Sequence, residues 1–127
     1  FSPMANGLLT GAYGKDARFD PKLDYRSSMP QFTAQAMDQN QGLFQLLAGL
    51  AREKGATPAQ ISLAWMLCKK PWIVPIPGTR KPERMAENAG AAEVRLTPEE
   101  VRALDAALDG MEMSAVFGGT KVSGRAG

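Results

Sequence analysis

The pattern of apolar and polar positions divides the chain into an unpatterned first quarter and a helical remainder. Across residues 1–30, Pro3, Gly7, Gly11, Gly14, Pro21 and Pro30 alternate with charges such as Lys15, Asp16, Arg18, Asp20, Asp24 and Arg26. This predicts a long irregular segment, interrupted at most by a short helical turn; loops beyond about 12–15 residues in compact domains are usually functional or disordered. From Thr33 the pattern turns helical. Met37, Phe44, Leu47, Ala48 and Ala51 recur near a period of about 3.6, and Leu43, Leu46 and Leu50 widen the stripe. Gly55 suits a left-handed stop, while Arg52 and Lys54 complement the negative end of the helix dipole.

Thr57-Pro58-Ala59-Gln60 spells a capping box with proline in the first turn, and so a sharply placed helix start. The helix that follows carries Ile61, Ala64, Trp65 and Cys68 on one face and ends with Lys69-Lys70 complementing its dipole. Trp72-Ile73-Val74-Pro75-Ile76 reads as a short buried strand, although Pro75 argues against neighbours bonded along its whole length. A helix is expected from near Pro82 to Gly90, and Thr97-Pro98-Glu99-Glu100 opens another with Val101, Leu104 and Leu108 before Gly110. The glycine-rich tail from Met111 is expected to be poorly ordered. One buried strand cannot make a sheet, because its backbone groups would lack partners. Either Phe1 and its neighbours supply the end of a second strand, or further strands lie outside this chain.

Composition narrows the function classes. With 127 residues the chain has room for one domain, and a net charge of +2 is too near neutral for a dedicated nucleic-acid surface. The single cysteine, Cys68, excludes an intrachain disulfide framework and suits a reducing compartment. Beside Trp65 on an apolar face, it is expected to be a buried, inert thiol, with Trp65 and Trp72 in the core. The absence of histidine removes imidazole acid–base chemistry and the commonest metal ligand. No apolar run reaches the roughly 18–20 residues of a membrane span, and no basic region precedes an apolar stretch as in a signal peptide. The chain opens at Phe1 rather than methionine, which raises the question of completeness. Glu99, Glu100, Asp105 and Asp109 read as capping and surface acids rather than a paired-carboxylate site.

The chemistry concentrates in Ile76-Pro77-Gly78-Thr79-Arg80-Lys81-Pro82-Glu83-Arg84. A strand end, a glycine turn and a helix start lie within nine residues, and a helix N-terminus attracts phosphate. Thr79 adds a hydroxyl, and Arg80, Lys81 and Arg84 add cations that face the positive end of the dipole, with Glu83 relieving part of the conflict. Two readings stand: a bound anion supplies the missing compensation, or the turn is simply a solvated basic one. Glu87 and Asn88 line the mouth of the same loop or lie on the helix surface. No Walker loop or G-x-G-x-x-G fingerprint is present.

These residues carry a resemblance. Phe1-Ser2-Pro3-Met4-Ala5-Asn6-Gly7-Leu8-Leu9-Thr10-Gly11 is similar to the segment after the seventh barrel strand of aldo-keto reductases. Ala56-Thr57-Pro58-Ala59-Gln60 with Ala64-Trp65, then Ile73-Val74-Pro75-Ile76-Pro77-Gly78-Thr79, resembles that family's last helix–strand unit. Arg84, Glu87, Asn88 and Ala91-Ala92 continue it, and Leu96-Thr97-Pro98-Glu99-Glu100 resembles the C-terminal accessory helix. The resemblance covers roughly residues 1–110 in order.

It implies an α/β fold, a partial (β/α)8 TIM barrel running from the end of strand seven to helix eight plus the accessory helix, and mostly helical in this chain. A whole barrel takes roughly 250 residues. Residues 1–30 would be a cofactor-covering loop, 33–69 helices, 72–90 a strand–helix phosphate-binding unit, 97–109 the accessory helix and 111–127 a flexible tail. The implied cofactor is NADP(H). Phe1 would stack on the nicotinamide, Ser2, Pro3 and Met4 would lie beside the pyrophosphate, and Asn6, Gly7 and Leu8 would belong to the covering loop. Gly78, Thr79, Arg80 and Arg84 would hold the ribose 2′-phosphate, with Arg84 against the adenine and Glu87 and Asn88 at its amino edge.

Ala12 stands where the family commonly has lysine, and Ala5 where many members have glycine. The family's catalytic aspartate, tyrosine, lysine and histidine belong to the part that precedes Phe1, and no residue here corresponds to any of them. The chain is therefore expected to be a fragment of a cytoplasmic oxidoreductase that holds at most part of the nucleotide and turns nothing over alone. The alternative is a non-catalytic product that self-associates through exposed barrel faces. Expected partners are a nicotinamide dinucleotide and either a second copy or the rest of the barrel, with no nucleic acid and no membrane.

Overall fold

A computed structural model describes residues 2–109. Phe1 and the expected tail lie outside the described residues. The helices begin where local capping chemistry dictates. Thr33 accepts a hydrogen bond from the Ala36 amide and starts α1 (Ala34–Gln39). The structure then corrects the expectation of one continuous helix after Thr33. The ladder breaks at Asn40, which is buried between α1 and α2 (Gln41–Lys54). The surrounding run Asp38-Gln39-Asn40-Gln41-Gly42 combines residues that compete with, or weakly favour, helical backbone.

Gly55 ends α2 in a left-handed conformation at φ 60°, which an L side chain would adopt only with strain. The Thr57 capping box opens α3 (Pro58–Lys69): the Thr57 hydroxyl accepts from the Gln60 amide, and the Gln60 side chain accepts from the Thr57 amide. α4 (Pro82–Gly90) and α5 (Pro98–Asp109) follow, and Thr97 and Glu100 form the second reciprocal cap as expected. The irregular first segment contains short 3-10 helices at Ala5–Thr10, Tyr25–Ser28 and Pro30–Phe32.

α2, α3 and α5 pack around one core. Leu43, Leu47, Leu50 and Ala51 of α2 meet Ile61 of α3 and Leu104 of α5. Ala48, expected in the stripe, is exposed because the buried face is centred one position away. Polar bonds latch α5 to its neighbours: Lys54 pairs with Glu100 at 2.8 Å, and Asp105 accepts from Trp65 Nε1 at 2.8 Å and Lys69 Nζ at 2.7 Å. Asp105 is thus a half-buried bridging acid rather than a surface one.

The Lys54 ammonium beside Glu100, together with the Thr97 amide, holds the Glu100 carboxyl below the ordinary glutamate range. A depressed carboxylate stabilises the fold above its unfolded pKa and stops doing so as pH falls through its folded one. The thermal midpoint is therefore expected to be level between about pH 7 and 5 and to fall below about pH 4. Glu100→Gln should shrink that acid-side fall, measured by circular dichroism; an unchanged acid limb would assign the fall to other carboxylates.

The expected strand is overturned. Residues 73–79 carry no regular structure, and no β-strand forms among the described residues. Trp72, Val74 and Ile76 are 73%, 78% and 77% exposed, whereas Ile73 and Pro75 are half-buried, so the segment alternates in strand fashion without partners. The physical reason is that no neighbouring strand offers donors and acceptors, and Pro75 and Pro77 lack backbone donors themselves. Trp72 is accordingly not a core residue. Cys68 is also exposed, not buried, because it lies with the exposed Leu67 on a side of the last turn of α3 that α5 does not cover.

Candidate functional site

The first wall of the site is the turn Ser2–Gly7. Ser2, Ala5, Asn6 and Gly7 have φ of 50°, 47°, 57° and 94°, a concentration of left-handed backbone in which three of the four residues are not glycine. Such backbone costs energy and persists only where its surroundings hold it. Here Thr10 Oγ1 donates to the Gly7 carbonyl at 2.6 Å, and the Tyr25 hydroxyl donates to Asn6 Oδ1 at 3.0 Å. At Gly7 the dihedral favours glycine, and a Cβ would lie 3.1 Å from the Tyr13 ring, close enough that the ring would have to give by a few tenths of an ångström.

The second wall is the turn Gly78–Lys81 and the face of α4 that follows. The Lys81 amide donates to Thr79 Oγ1 at 3.1 Å, and no side chain caps α4. Arg84 pairs with Glu87 at 2.8 Å, one turn along. Gln60, already part of the α3 cap, donates through Nε2 to the Glu87 carbonyl at 2.8 Å, which fixes α4 on the start of α3. Arg80 and Lys81 are exposed, and their side chains enter no ion pair or hydrogen bond among the described residues.

Between the walls lies a cleft of about 710 Å³. Ser2, Pro3, Met4, Asn6 and Gly7 line one side, and Gly78, Thr79, Arg80, Arg84, Glu87 and Asn88 the other. Leu8, expected in the same loop, is buried and does not line the cleft, whereas Asn6 and Gly7 do. Phe1 lies outside the described residues.

Sequence reasoning missed Tyr13, Asp24, Tyr25 and Arg26, which also line the cleft. An Asp and an Arg two positions apart in an irregular segment look like ordinary solvated charge. Only the fold brings Arg26 against Tyr13 and Asn6. Asp24 is held below the usual carboxylate range by the Arg26 guanidinium, and Arg26 is raised in return. Both cleft acids, Asp24 and Glu87, are thus paired with arginines, whereas Arg80 and Lys81 are unpaired cations beside an uncapped helix start. That arrangement suits an anion with phosphate chemistry. No cluster of side chains fit to hold a metal occurs among the described residues.

Residues 1–109 match the model of the aldo/keto reductase family. The chain belongs to that family. Among its relatives, aldo-keto reductase str7 of Strobilurus tenacellus is 39% identical over 104 residues, covering 82% of this chain and 31% of that protein. Aldo-keto reductase yakc [NADP(+)] of Schizosaccharomyces pombe is 34% identical over 89% of this chain and 33% of its own length. Probable aldo-keto reductase 1 of Glycine max is 36% identical over 98% of this chain and 34% of its own. The chain therefore spans about a third of the length of these aldo-keto reductases. No solved structure matches it. Among the described residues, no helix is long and apolar enough to cross a membrane.

Proposed function

We propose that this chain is the C-terminal, dinucleotide-holding portion of an NADP-dependent aldo-keto reductase. The observation that carries the reading is the cleft itself. Two segments some seventy residues apart converge there, and the unpaired cations of one wall stand at an uncapped helix start. The residues present fit a dinucleotide: Arg80, Lys81 and Thr79 offer donors and charge for a ribose 2′-phosphate, Arg84 a planar face for the adenine, and Asn6 and Gly7 backbone that approaches closely. The relative from Schizosaccharomyces pombe carries NADP(+) in its name.

In the whole enzyme the family fold is a (β/α)8 barrel, and the extended segment from Trp72 to Ile76 would pair there as the last strand. The chemistry the bound dinucleotide supplies is a hydride for a carbonyl carbon, completed by a proton to the oxygen, giving an alcohol. This chain's part is to bind and orient: the basic turn selects the 2′-phosphate, and the Ser2–Gly7 wall covers the remainder. The residues that deliver the proton belong to the portion without counterparts here, so the chain alone is expected to be inactive. A cytoplasmic setting accords with a free, exposed Cys68.

The deciding experiment is a titration of the 127-residue chain with NADPH and NADH at two salt concentrations. NADPH should bind more tightly, and the preference should shrink as salt screens the basic turn. Equally negligible binding of both would overturn the reading.

The exposed row Trp72, Val74 and Ile76 favours a second reading, in which copies of the chain cover one another's apolar edges. Light scattering should then give a mass above that of one chain; a monodisperse monomer would exclude it.

A further inference from the structure

We infer that Arg26, a residue outside the phosphate-binding turn, is the positioning residue that shapes the Asn6–Gly7 wall of the cleft; this rests on the dinucleotide reading given above. Although Arg26 lines the cleft, four of its five N–H donors are engaged within the chain. Nε donates to Asp24 Oδ1 at 2.9 Å, Nη2 to Asp24 Oδ2 at 2.5 Å, and Nη1 to the Tyr13 hydroxyl at 2.9 Å and the Asn6 carbonyl at 3.5 Å. A guanidinium so engaged has little left for a ligand phosphate, unlike Arg80 and Lys81.

The surroundings of Arg26 are built for rigidity. Its plane lies over the rings of Tyr13 and Phe19, 4.9 and 4.5 Å from their centroids. Phe32 closes the set, with ring centroids 6.1 Å from Tyr13 and 5.0 Å from Phe19. Cation–ring contact and a bidentate carboxylate together fix the guanidinium in one orientation.

Two consequences reach the wall. Tyr13, oriented by its bond to Arg26, presents the ring edge that Gly7 packs against. Nη1 meets the carbonyl of Asn6 while the neighbouring Tyr25 hydroxyl holds the Asn6 side chain. The left-handed backbone at Asn6 and Gly7 is thereby held from outside, as strained backbone must be. The opposite wall, Gly78–Asn88, is tied to α3 through Gln60 and makes no bond to Arg26.

That separation supplies the test. NADPH engages both walls, whereas adenosine 2′,5′-bisphosphate engages only the basic one. In the 127-residue chain, Arg26→Lys keeps the charge but loses the planar fork. It should weaken NADPH about tenfold and leave adenosine 2′,5′-bisphosphate unchanged. A general loosening of the fold would weaken both probes together, and that outcome, or no effect on either, would overturn the inference. Tyr13→Phe, which deletes the hydroxyl that accepts from Arg26 Nη1, should weaken NADPH about threefold with the bisphosphate again unaffected. Should Arg26→Lys fail to fold, an unaltered NADPH affinity in Tyr13→Phe overturns the inference by itself. If the unaltered chain binds neither probe, the dinucleotide reading fails first, and this inference with it.

Discussion

Ile61→Ala is expected to lower unfolding free energy by about 2–5 kcal/mol, a large fraction of the roughly 5–15 kcal/mol that holds an ordinary domain together. Ile61 is 0% exposed and sits where α2, α3 and α5 meet, against Leu43, Leu47, Leu50, Ala51 and Leu104. Three helices lean on this one side chain, so the cavity left by three lost carbons has little around it that can collapse without separating them. Ile61→Val removes one methyl group and should cost only about 0.5–1.5 kcal/mol. Urea unfolding followed by Trp65 fluorescence reads both variants, since Trp65 is bonded to Asp105 of α5 and reports the same junction. Equal midpoints for the two variants would show that the junction is not the core.

The second large effect concerns the basic turn. Arg80→Ala removes an exposed cation with no partner of its own, so it should weaken NADPH about tenfold and leave NADH nearly unchanged. Arg84→Ala should do more. It deletes a cation and also leaves the Glu87 carboxylate, paired at 2.8 Å in the unaltered chain, to repel phosphate on the same wall. With both arginines replaced, the NADPH-to-NADH preference should collapse toward one at low salt. Calorimetric titration measures the ratio. A preference that survives the double replacement would remove the 2′-phosphate from this turn.

Much of the site was legible for one reason: it is built from two local signals. The glycine turn and helix start at Gly78–Pro82, and the segment Ser2–Gly7, each announce themselves within about ten residues of chain, and both line the cleft. That the Leu8 side chain is buried while its neighbours Asn6 and Gly7 line the cleft is a detail that spacing does not show. Arg26 was invisible as anything but charge. Its meaning comes from Tyr13, Phe19 and Phe32, which reach it only when the irregular segment folds back. Gln60 was read as half of a cap, which it is, but its other hydrogen bond goes to Glu87, twenty-seven residues away.

The same division runs through the fold. Apart from the break at Asn40, sequence by itself determined where the helices begin and end, because Thr33, Gly55, Thr57, Pro82 and Thr97 act on backbone groups within four residues of themselves. It also determined the family, through motifs that run in order along residues 1–109. Only the tertiary structure decided which apolar side chains are covered. Ile61 and Leu104 are buried by partners distant in the chain, while Trp72, Val74, Ile76 and Cys68, no less apolar in pattern, stand exposed because no partner reaches them. Capping is a contract between neighbours in sequence. Burial requires neighbours in space, and for the extended segment none are present among the described residues.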